Sequence, residues 1–145
     1  MTGWGLLEGT PRTVTSVEFG RFLPRRNLSR PAALASLTEQ LEQLLARLAP
    51  DVVVIETPFT GRFPKAALAL AETRGALLVA LGRWGGRVVE IEPARMKAAV
   101  VGHGRAEKQQ VAYVVRHALK LSKEPPADAA DALALALCHV RSVLP

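Results

Sequence analysis

Ala-Pro-Asp-Val-Val-Val-Ile-Glu, residues 49–56 (APDVVVIE), is the stretch on which the fold turns. Val52 to Ile55 is an unbroken run of β-branched apolar residues. Such a run predicts a short strand buried on both faces, as in sheets flanked by helices. On its N-terminal side, Leu34, Leu37, Leu41, Leu44, Leu45 and Leu48 fall on one stripe of a helix over Ala32–Leu48. Ser29 is placed to cap that helix, Pro31 stands near its first turn, and Pro50 ends it. On the C-terminal side, Thr57–Phe63 reads as a loop and Pro64 opens a helix to about Leu81. Gly85-Gly86 marks a turn before a strand at Arg87–Ile91. Helices over Pro93–Val101 and Ala106–Leu121 flank Gly102-His103-Gly104, and Pro125-Pro126 opens a last helix to about Arg141. Upstream, Thr2–Glu8 and Val14–Phe22 read as strands joined by the turn residues Gly9–Arg12, an antiparallel hairpin. The order predicts one α/β domain over residues 1–145, a mixed sheet flanked by helices, with no repeat or linker.

Composition narrows the function. The chain has 145 residues, 49% hydrophobic and 22% charged, values of a globular domain rather than a disordered one. No stretch approaches the roughly 20 apolar residues of a membrane span, and the N-terminus lacks the basic-then-apolar pattern of a signal peptide. Cys138 stands alone, which excludes an internal disulfide framework and a cysteine-rich zinc site. An intracellular, cytoplasmic protein without a membrane partner is expected. The net charge is +6, and 14 of the 19 basic residues are Arg. A basic domain of this size favours a polyanion such as nucleic acid.

Against that basic background the acids are informative. Only three Asp occur, and Asp128 and Asp131 share one face of the last helix. Alanines crowd them, so that helix can pack closely and hold an Asp near the sheet. Glu56 directly follows the apolar strand, at the carboxyl end where α/β sheets place their sites. Converging carboxylates bind hard cations such as Mg²⁺, and paired cations can clamp both oxygens of a phosphodiester displacement. Taken singly, each acid also fits an ordinary solvated or helix-dipole position. Lys97, Arg105 and Lys108 flank the Gly102-His103-Gly104 break, where backbone N–H groups and a helix N-terminus could approach a phosphate. Phe59, beside Arg62 in the loop after Glu56, is placed to stack on an unpaired base. His103, His117 and His139 show no metal-ligand spacing, and Trp4 and Trp84 read as packing residues.

The segments Thr2–Gly5, Ile55-Glu56 with Phe59, Lys97–Lys108 (KAAVVGHGRAEK) and Ala127–Ala134 (ADAADALA) together resemble the RuvC family of Holliday junction resolvases. The likeness runs in order along nearly the whole chain. It implies a ribonuclease H-like fold and a homodimeric endonuclease that uses Mg²⁺ or Mn²⁺, two per active site, to nick a four-way DNA junction symmetrically. By position, Glu56, Asp128 and Asp131 match three family acids. Lys97 and Lys108 match basic residues near the cut strand, and Gly102, Gly104 and Arg105 stand between them in the same block. Phe59, with Arg62 nearby, matches an aromatic that contacts bases, and the Pro64–Leu81 helix matches a dimer contact. RuvA and RuvB are the implied partners. The resemblance also implies an upstream strand ending in Gly-Ile-Asp-Pro-Gly, central to the sheet and carrying a fourth acid. That stretch lies outside this sequence. The natural protein is accordingly expected to begin further upstream, and the chain as written to bind junctions without efficient cleavage. The alternative is a relative that binds junctions and does not cut them.

Overall fold

The computed structural model describes residues 2–10, 12–57 and 64–142. Strand β1 (Gly3–Gly9) pairs antiparallel with β2 (Val14–Arg21), from Gly3 opposite Arg21 to Gly9 opposite Val14. The register shifts once, between Leu6 and Leu7. Thr10 and Thr13 close the turn with reciprocal backbone hydrogen bonds of 3.0 and 3.1 Å. The remaining elements follow in order: α1 (Arg30–Leu48), β3 (Val52–Glu56), α2 (Pro64–Trp84), β4 (Arg87–Ile91), α3 (Pro93–Val100), α4 (Lys108–Ala118) and α5 (Ala127–Ser142).

The expected alternation of strands and helices is present, and the expected sheet is divided. β1 pairs with β2, and β3 pairs with β4, as separate two-stranded sheets among the described residues. Val52–Ile55 are half-buried instead of buried on both faces. The cause is that β3 has one described partner strand, so its flank is less covered than that of a strand inside a wide sheet.

The chain groups into two compact units. The first comprises Met1–Arg21, Val54–Thr57 and Glu90–Pro145. In it, α5 lies on β1 and β2, and α3 and α4 pack against α5. Leu133 and Leu137 of α5 and Val111 and Val115 of α4 are fully buried at its centre. Burying each such side chain contributes roughly 1.5–3 kcal/mol. The helix can lie this close because β1 presents glycines to it. A Cβ at Gly3 would collide with the Asp128 carbonyl, and one at Gly5 with the Leu133 side chain.

The second unit, Phe22–Val53 and Pro58–Val89, is built on α1 against α2. Ser29 caps α1 by accepting from the Ala32 N–H, and Ala49 ends it in the left-handed region at φ 44°. Thr38 Oγ1 donates toward the carbonyls of Leu34 and Ala76, each at 3.1 Å, tying the two helices together. Arg30 pairs with Glu72 at 2.8 Å and Arg83 with Glu42 at 3.1 Å. The Gln40 amide clamps the Leu23 backbone, accepting from its N–H and donating to its carbonyl, both at 3.1 Å.

Candidate active site

Within the first unit, two elements, β3 and α5, bring acids into one electrostatic neighbourhood. Glu56 is the last residue of β3, and the next residue, Thr57, fixes the strand end by donating its N–H to the Ile91 carbonyl at 2.9 Å. Asp128 and Asp131 stand one turn apart at the start of α5, whose close seating on Gly3 holds them at the hairpin. Lys97 is in the last turn of α3, and Lys108 is the first residue of α4.

Burial pushes the Glu56 carboxyl above the usual carboxylate range, and the negative charge of Asp131 pushes it further. Lys97 and Lys108 pull it back. Asp131 is also raised, first by burial and also by Asp128, against the opposing pull of Lys108 and Lys97. Glu56 is exposed as a residue, yet its carboxyl loses much of its hydration to the protein around it. Like charges repel equally in both directions, so Glu56 and Asp131 form a strained pair that added positive charge would relieve. Carboxylate oxygens are hard donors of the kind that suit Mg²⁺ or Mn²⁺. Among the described residues, however, no three His, Cys, Asp or Glu side chains converge as a ready metal-binding group. The donor chemistry fits a hard divalent cation held by Glu56 and Asp131, with Asp128 beside them.

The Gly102 N–H is used within α3, donating to the carbonyls of Ala98 at 3.0 Å and Lys97 at 3.3 Å. Its φ of 108° identifies it as the glycine that ends the helix. Gly104 lies against Ala94, and Arg105 is exposed with no hydrogen bond or ion pair among the described residues. His103 is exposed, and His117 packs its ring 4.3 Å from that of Tyr113. Trp4 lies over Gly20 and Trp84 over Gly86, in packing positions. Phe59 and Arg62 lie outside the described residues.

The roles of Gly3 and Gly5 in seating α5 were not read from the sequence. Their signal is the spacing: glycines two apart on a strand clear a single face of it.

The fold and the site define an α/β protein with a half-desolvated carboxylate cluster under two lysines, an arrangement suited to a cation and a phosphodiester. The family profile described as "Crossover junction endodeoxyribonuclease RuvC" matches residues 1–139. The protein of that name from Alkalilimnicola ehrlichii is 42% identical over 147 residues, covering 97% of this chain and 84% of that protein. Its counterpart in Syntrophomonas wolfei is 38% identical over 142 residues, covering 97% and 83%. Among solved structures, "T. thermophilus RuvC in complex with Holliday junction substrate" superimposes with a TM-score of 0.86 at 29% identity, covering 97% of this chain and 86% of that one. A second, "Thermus thermophilus RuvC structure", gives 0.81 at 30% identity, covering 96% and 86%. The chain belongs to the RuvC family, and its fold is ribonuclease H-like. No helix of the described residues is long and apolar enough to cross a membrane.

Proposed function

We propose that the chain is a structure-specific endonuclease that resolves four-way DNA junctions by paired, symmetric nicks. Glu56, Asp128 and Asp131 are its catalytic and cation-holding acids. The observation that carries this reading is the raised pair Glu56 and Asp131 in the field of Lys97 and Lys108. Mg²⁺ or Mn²⁺, two per site, would polarise the scissile phosphate and ease deprotonation of the attacking water. Glu56 and Asp131 supply oxygens on one side, and Asp128 adds negative charge beside them. Lys97 and Lys108 draw the DNA backbone in and keep the carboxylates ionised. Arg105 and the Gly104 backbone extend the phosphate contacts, and Phe59 with Arg62 engages bases at the junction centre.

A homodimer suits this task, because a twofold junction offers two equivalent strands. Supporting it, α2 carries exposed apolar side chains, Leu68 at 62% and Leu78 at 37%. RuvA and RuvB are the partners in branch migration that family membership suggests.

The test uses the full-length natural protein, a four-way junction and Mg²⁺ or Mn²⁺. Glu56→Gln, Asp128→Asn and Asp131→Asn are each expected to lower the nicking rate by on the order of 10²-fold or more with junction binding retained. Loss of binding in all three would make these acids structural. The second reading, a junction binder without nuclease activity, is favoured by the lack of a converging acid trio among the described residues. Binding without any cation-dependent nick would establish it.

A further inference from the structure

Arg21 ends β2 at the register position opposite Gly3. Residues directly opposite in an antiparallel pair project from the same face of the sheet. On that face, a Cβ at Gly3 would strike the Asp128 carbonyl and the Ala129 nitrogen, and one at Gly5 would strike Leu133. Arg21 therefore projects on the face that carries α5, at the end of the hairpin where α5 begins and where Asp128 stands. Gly3 has no side chain to screen it.

Arg21 is exposed, and its side chain makes no hydrogen bond or ion pair among the described residues. An arginine that merely served the fold here would be expected to pair with the nearby Asp128, and it does not. Nor does it act on Asp131, whose field comes from Lys108, Asp128 and Lys97. Its register position opposite Gly3 puts it at the end of the hairpin where Asp128 stands, with its guanidinium donors uncommitted among the described residues. A planar fork of N–H donors in that state suits a phosphate, which it can grip at two oxygens.

We propose that Arg21 binds a backbone phosphate of the DNA strand next to the phosphodiester handled by Glu56, Asp128 and Asp131. This rests on the nuclease reading above. Lys97 and Lys108 come from α3 and α4, whereas Arg21 comes from the hairpin, so the strand is held by an element independent of the lysines. The role is positioning within the DNA-binding surface, without proton transfer.

The test is a salt titration of junction affinity, measured by fluorescence anisotropy without a divalent cation, so that cleavage does not intervene. Removing one phosphate-binding side chain reduces the slope of log affinity against log salt by about one. Arg21→Ala is expected to show that reduction, to weaken binding to all junction sequences alike, and to melt at the unsubstituted protein's temperature. Arg21→Lys is expected to keep the slope. Affinity and slope unchanged in Arg21→Ala would overturn the proposal. So would an equal fall in melting temperature in both variants, which would assign Arg21 to the fold. If the unsubstituted protein does not bind the junction at all, the nuclease reading fails, and this proposal fails with it.

Discussion

Glu56 and Asp131 are held in a state that costs the folded protein stability. Their carboxyls are raised chiefly by burial, with like charge adding to it. Between the ordinary carboxylate range and the raised folded value, the folded state keeps a proton that the unfolded chain has released. Stability must therefore fall as pH rises through that window, by linkage. In urea titrations without divalent cation, the protein is expected to be more stable at mildly acidic than at neutral pH as far as these groups contribute. Asp131→Asn should flatten that dependence and leave neutral-pH stability equal or higher. A loss of stability in Asp131→Asn would show that its carboxylate holds the fold together. The identity of these acids was legible in the sequence, because few Asp occur and Glu56 ends an apolar strand. Their coupling was not legible, since it depends on the distance between β3 and α5.

At the scale of elements, the packing of β1 against α5 decides where Asp128 and Asp131 stand. Gly5→Val should overpack it, at a cost of about 1–3 kcal/mol. Leu133→Ala should cost about 2–5 kcal/mol by leaving a cavity. Chemical denaturation reads both, and neutral outcomes would mean that α5 is seated by other contacts. The boundaries of most elements were legible from apolar periodicity and from Pro and Gly punctuation. α4 begins at Lys108 rather than Ala106 because Gln110 reaches back to accept from the Glu107 N–H at 2.9 Å, which makes Glu107 the cap. The glycine loop was ambiguous in the sequence for a related reason. Gly-His-Gly between two helices serves equally as a phosphate cradle or as a helix terminator, and only the hydrogen bonds of Gly102 distinguish them. Likewise, a β-branched run identifies a strand without fixing how many partners it has, so the half-buried β3 was not foreseen.

At the scale of the whole molecule, charge and apolar surface make separate predictions. With a net charge of +6 and phosphate as the ligand, junction affinity should fall steeply with salt. A flat response would remove nucleic acid as the partner. Leu68→Glu with Leu78→Glu should convert a dimer to a monomer in sedimentation, because each charge would replace an exposed leucine of α2. A dimer that survives both substitutions would assign the interface elsewhere. The most direct measurement of all is strand mapping of nicks in a four-way junction by the full-length natural protein, with Mg²⁺ or Mn²⁺ added and with either withheld. Cation-dependent nicks at symmetry-related positions on two opposed strands, abolished in Asp131→Asn, are the expected result. Nicks that need no cation, or that persist unchanged in Asp131→Asn, would contradict the acid cluster as the cutting site.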